Sequence, residues 1–286
     1  MYIVIIVNTV DKWRINKMNE YYYHYTSIDS LLLILKNKTI KFNSLINVDD
    51  LEEKDSKDIK NIGKMIYVSC WTKYAAESIP MWNMYTPNMQ GVRIKLRKLP
   101  FKKYHINKGE YGMNQECDTY INYEKMYKED KYLITLDCPK IYDVQYTKDY
   151  SLIYPTILSG EILKTDEKAS KASMKIDYSN IGRYKREEWR FQKEIRYVLP
   201  AAPWGYYELE KCKDDKEQAL LFNKLLDPTY KNNVDYIFLE LDEESLNDME
   251  ILLGPKVNEA QETMVKMIIN EYCPNVKIRK SSLKIQ

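Results

Sequence analysis

The 286-residue chain holds only eight glycines, and neither G-x-x-x-x-G-K-[ST] nor G-x-G-x-x-G occurs in it, so a glycine loop cradling phosphates is not expected. It has two histidines and five cysteines, Cys70, Cys117, Cys138, Cys212 and Cys273. Their number is odd, their spacing irregular, and no C-x-x-C pair exists, which argues against both a zinc site and a disulfide framework. The expectation is reduced thiols, a cytoplasmic protein and no metal ligand set. An excess of one charge is missing as well. With 44 Lys and Arg against 42 Asp and Glu, the net charge of +2 does not by itself predict nucleic-acid binding. Long apolar runs are absent. The opening "MYIVIIVN" is too short to span a bilayer and lacks a basic leader and a small-residue cleavage site. It reads as a strand, with translation from Met18 as the alternative, and no membrane partner is expected.

What the chain does have is 26 tyrosines beside five phenylalanines, a skew that AT-rich coding produces and that carries no functional message. Hydrophobic residues at 44% and charged residues at 30% fit a globular protein. We read one domain over 1–286, with 101–140, rich in Tyr and Lys and poor in periodicity, as an insertion or irregular region. Strands are expected at 21–25, "TIKFNS", "MIYVSCWT", "GVRIKL", "KIYDVQYT", "EIRYVL", "YIFLEL", "ILLG" and "VKIRKSSL". A helix follows Thr26 or Ser27, with Ile28, Leu31, Leu32 and Leu35 at helical spacing. Pro80 opens another, "DEESLNDME" is helix-like, and 257–271 and most of 151–188 read as helical. The order predicts an α+β fold: mixed, mainly antiparallel sheets with flanking helices.

Four stretches bear chemistry. His24 stands in "YYYHYT", where it is either a satisfied core residue or a ligand contact through its ring nitrogens. In "SCWT" a nucleophilic Ser69 or Cys70 would need one of only two histidines as base, so a buried core cysteine is the plainer reading, with Ser69 or Thr72 left to line a pocket. In "PMWNMY", Trp82 and Tyr85 are three apart and share a helix face, which suits core packing or stacking on a base or nicotinamide ring. In "WRFQKEIRYV", alternation sends Glu194, Arg196 and Val198 to one side of a strand and Ile195, Tyr197 and Leu199 to the other. Glu194 and Arg196 are then either a solvated ion pair or a carboxylate held by an arginine at a cleft floor. The acidic "DDLEE" reads as a solvated loop, or as carboxylates for magnesium.

In this order, "YHYTSIDSLLLILKNKTIKF", "NVDDLEE", "VSCWT", "MWNMYTPNMQGVRIKL", "EEWRFQKEIRYVL" and "ILLGP" resemble a bacterial domain family of unknown function. The likeness spans most of 21–283. Asp49 stands where that family has Asn, and Gln192 where the first Glu of its E-x-E-R pattern stands. The layout is more distantly similar to the ADP-ribosyltransferase superfamily with a His, an aromatic and a Glu as signature. That resemblance implies an ADP-ribosyltransferase-like core and NAD as the substrate. It implies His24 and the adjoining Tyr25 at the ribose, Trp82 or Tyr85 against the nicotinamide, and Glu194 as the catalytic carboxylate, with Ser69 and Arg196 lining the site. The expected activity is ADP-ribosyl transfer or NAD hydrolysis through an oxocarbenium-like transition state, with an open acceptor and a role in bacterial conflict or phage defence. Two rivals stand beside it. One is a non-catalytic nucleotide- or protein-binding module with the same aromatics as platforms. The other is a metal-dependent nuclease using "DDLEE", with the lysine-rich 95–108 stretch against nucleic-acid phosphates.

Overall fold

A computed structural model describes residues 2–3, 20–166 and 169–285. Strict alternation makes the central strands. Along Val92–Arg97, Val92, Ile94 and Leu96 enter the principal core. Along Glu194–Ala202, Ile195, Tyr197 and Leu199 join that core, whereas Val198 faces a second one with Ile66 and Val68. The protein is α+β, its sheets mixed and mostly antiparallel. Among the described residues no helix is long and apolar enough to cross a membrane.

The main sheet runs in the order Tyr236–Glu240, Thr39–Ser44, Ile66–Thr72, Tyr21–Thr26, Val92–Arg97, Glu250–Leu253, Lys277–Lys280. Strand Glu194–Ala202 covers one edge of Ile66–Thr72 over its whole length, from Glu194 opposite Thr72 to Pro200 opposite Ile66. Two strands divide the other edge. Asn43 and Ser44 pair with Val68 and Tyr67, while Tyr23 pairs with Thr72. The sheet therefore forks, and Ser69, Cys70 and Trp71 have no strand neighbour on that edge.

Helix Ile28–Asn37 straps the two arms of the fork together. Ser27 caps it by accepting the Ser30 N–H at 3.1 Å, and Ile28, Leu31 and Leu35 form its buried stripe. It stops at Lys38, which turns left-handed at φ 52° and leads straight into strand Thr39–Ser44.

The structure departs from the expected elements in two places. In place of a helix over most of 151–188 the chain forms a hairpin, Leu158–Asp166 against Ala169–Ile176, preceded by the short helix Tyr150–Ile153. Its small and charged residues fit a helix by composition, but Ala172, Met174 and Ile176 alternate with period two. "KIYDVQYT" is two strands, Lys140–Asp143 on Glu194–Ala202 and Gln145–Thr147 on Tyr184–Arg186. Within the region 101–140 there are also regular elements. Ile106, Ile121, Tyr123, Met126 and Ile134 are buried in the principal core, and the region holds helix Tyr123–Glu129. Of the opening segment, Tyr2–Ile3 is a strand paired with Ala169–Ile176, and Met18 lies outside the described residues.

Candidate functional site

The fork opens into a cavity of about 550 Å³. Its walls come from the strap helix and the two arms, and its floor from Ser69, Cys70, Glu194 and Gln192. The missing strand leaves the Cys70 carbonyl without a ladder partner, and the side chain of His24 supplies one, Nδ1 lying 2.8 Å from that oxygen. A carbonyl only accepts, so Nδ1 carries the hydrogen. Burial pushes the His24 pKa down against the opposing pull of that bond, and the ring is neutral at pH 7. Nε2 is then a lone-pair acceptor without a partner among the described residues. The ring is fixed further by Trp71, at 5.0 Å between centroids.

Under the floor sits a closed ionic cluster. The five N–H groups of Arg196 are all used: two bind Glu194, two bind Glu53, and one binds the Gly182 carbonyl at 2.8 Å. Lys185 is likewise spent, on Glu194 at 2.7 Å, Glu53 at 3.2 Å and the Gln192 amide oxygen at 2.9 Å. Two carboxylates face two cations, and all four side chains are buried. Burial raises the Glu194 carboxyl, but the Arg196 and Lys185 charges overcome it and hold the pKa at about 2. For Glu53 burial prevails, and its carboxyl sits above the ordinary range. Glu194 Oε1 takes one bond from Arg196, and the Cys70 thiol also lies against this carboxylate.

From Gln192 the network continues to Tyr85, whose hydroxyl accepts from the Gln192 amide. Burial raises the Tyr85 phenol, and the nearby Asp49 and Glu194 carboxylates raise it further, so it remains a neutral donor. Burial and the adjacent Glu194 also push the Cys70 thiol up, which removes it as a thiolate nucleophile.

Of the residues expected at the site, His24, Ser69, Tyr85 and Glu194 do meet in this cavity. Ser69 contributes little, because its hydroxyl accepts the Trp71 indole N–H at 2.9 Å and is buried. Trp82 must be corrected. It is fully buried beneath Tyr25, with rings edge-on at 4.8 Å and Nε1 donating to Glu77 at 3.0 Å, and it does not line the cavity. Tyr25 is committed as well, its hydroxyl accepting from Ser78 N–H at 3.1 Å. Arg196 borders the floor but has no donor left for a ligand, and its guanidinium holds the Glu194 and Glu53 carboxylates in place. The solvated-pair reading of Glu194 and Arg196 is overturned by their burial.

The loop "DDLEE" is not simply solvated, since its carboxylates go separate ways. Glu53 joins the buried cluster, Glu52 binds Arg186 and the Tyr154 hydroxyl, and Asp50 accepts the Glu52 N–H. Half of the Lys and Arg residues in the lysine-rich stretch are paired: Lys98 with Glu20, Lys102 with Glu240, and Arg97 with Glu244 and Asp248.

Sequence reasoning missed Lys185, which lies nine residues before Glu194 on another strand, and Glu53, which lies far from it in the chain. It also missed Tyr236 and Phe238, which alternate outward along Tyr236–Glu240 and line the cavity mouth. Their period of two was the available signal. Compared with protein-family models, curated proteins and solved structures, the chain matches none of them.

Proposed function

We propose that the protein binds NAD and cleaves its nicotinamide–ribose bond, passing ADP-ribose to water or to another acceptor. The observation that carries this reading is the convergence of a free His24 acceptor, an ionised Glu194 and the Tyr85 hydroxyl in one cavity at the fork. A volume of about 550 Å³ falls within the range of small-molecule sites. In the step, the bond from ribose C1′ to the nicotinamide nitrogen breaks and its electron pair leaves with the neutral nicotinamide. A water oxygen bonds to C1′, giving ADP-ribose and one proton to solvent. Positive charge builds on the sugar as that bond lengthens. Glu194 is already anionic and already oriented, so it answers that charge without reorganising and accepts from a ribose hydroxyl. His24 Nε2 accepts from a second hydroxyl. Neither a metal nor a glycine loop is required.

One observation favours a second reading. Arg196 and Lys185 share the Glu194 charge, which weakens its field at the sugar and suits a module that binds a nucleotide without turning it over. Incubation with NAD decides between them. Nicotinamide release that falls by roughly a hundredfold or more in Glu194→Gln supports the enzyme. NAD binding without release, in a folded preparation, supports the binding module, and neither binding nor release rejects both.

A further inference from the structure

We infer that Tyr236, Phe238 and Lys41 form a docking platform for the adenine base and adjoining phosphate of a nucleotide, at the opposite side of the cavity from Glu194. This rests on the nucleotide reading of the same cavity and adds the part of the ligand that the floor does not address. Strand Tyr236–Glu240 lies at the sheet edge, paired with Thr39–Ser44. Ile237 and Leu239 are buried there, while Tyr236 and Phe238 are 48% and 41% exposed. Residues two apart on a strand share a face, and both of these rings line the cavity. Their centroids are 5.3 Å apart at 66°, so the pair offers one face and one edge to a flat ring.

Lys41 stands directly opposite Phe238 in the ladder and also lines the cavity. Its ammonium lies 4.6 Å from the Tyr236 centroid and pairs with no carboxylate among the described residues. An aromatic surface carrying a bare cation fits a ligand that is flat and apolar at one end and anionic next to it. A base with its phosphate has that chemistry. The floor, by contrast, offers the Glu194 carboxylate and the neutral His24 acceptor, which suit sugar hydroxyls, while its two cations are already paired and leave none for a phosphate. The two ends of the cavity therefore ask for the two ends of one nucleotide.

Titration calorimetry with AMP, ADP-ribose, adenosine and nicotinamide mononucleotide tests the platform. AMP and ADP-ribose are expected to bind the wild type. Tyr236→Ala weakens both by roughly five- to 150-fold, the range for losing one base–aromatic stack. Tyr236→Trp restores them, which separates stacking from a loss of fold. Nicotinamide mononucleotide, which lacks adenine, keeps its affinity in Tyr236→Ala. Lys41→Ala weakens AMP but not adenosine. The inference is overturned if the wild type binds neither AMP nor ADP-ribose, if Tyr236→Ala leaves them unchanged, or if it weakens the mononucleotide equally. Nicotinamide release from NAD, followed in parallel, keeps the two failures apart. Release without any effect of the rim variants overturns the platform alone, and rim effects without release overturn the enzyme reading alone.

Discussion

Replacing Arg196 by Met removes one of two cations from a buried site and leaves Glu53 and Glu194 to share Lys185. Breaking a buried ion pair on one side costs about 3–5 kcal/mol, because a charge remains without a counterion in low dielectric. Here the guanidinium serves two carboxylates and a carbonyl, so the upper part of that range is expected at pH 7. The site has one way to limit the cost, which is to take up a proton. Glu53 is already above its ordinary 4.5 through burial, and it rises further in the variant. A carboxyl whose folded pKa is raised contributes stability below its unfolded pKa and loses it as pH climbs through the folded value. The deficit of Arg196→Met should therefore be smallest near pH 4.5 and grow towards pH 8. Urea unfolding followed by tryptophan fluorescence at several pH values measures it. The double variant Arg196→Met with Glu53→Gln restores neutrality and should recover a large part of the loss at pH 7. A deficit below about 1 kcal/mol, the same at every pH, would refute the argument, since that is how an exposed pair behaves.

Three other outcomes are expected. Gly182 sits at φ 70°, and an added Cβ would lie 3.0 Å from Leu45 and 3.3 Å from the Arg196 guanidinium, so Gly182→Ala should cost about 1–3 kcal/mol and lower the melting temperature. His24→Leu strands the Cys70 carbonyl at a cost of about 1–3 kcal/mol in urea unfolding. His24 is held below 6.5, so the wild type loses stability as pH falls beneath that value, and this slope should disappear in the variant. Trp82→Phe gives up the Glu77 bond and should lower stability while leaving nucleotide affinity untouched, which calorimetry can check.

The strands were legible where alternation was strict, and the shared side of Glu194 and Arg196 followed from their spacing alone. What that pair would do was not legible, because the answer lies in Lys185 and Glu53. Glu52 and Glu53 are adjacent acids in a charge-rich loop, yet one goes to Arg186 at the surface and the other into the interior. No local pattern separates them, since burial is decided by which strand the loop crosses. Trp82 and Tyr85 do share a helix, as their spacing requires, but depth distinguishes them: Trp82 is sealed, and Tyr85 reaches the network through its hydroxyl. The hairpin at 158–176 was lost because small and charged residues satisfy a helix by composition even when their apolar members alternate. Fold class survives such errors, while a site assembled across 170 positions does not show itself before the chain is folded.

The fork has one more consequence. In an antiparallel strand the N–H and C=O of a residue point to the same edge, so the Cys70 amide hydrogen faces the gap along with the carbonyl that His24 takes. An amide at the middle of the largest sheet would ordinarily be among the slowest to exchange with deuterium. This one should exchange fast, beside slow neighbours at Ser69 and Trp71 that bond to strand Glu194–Ala202. Anything settling into the gap would slow it. A single backbone hydrogen thus becomes a built-in occupancy gauge, readable without a label, a substrate or a turnover assay.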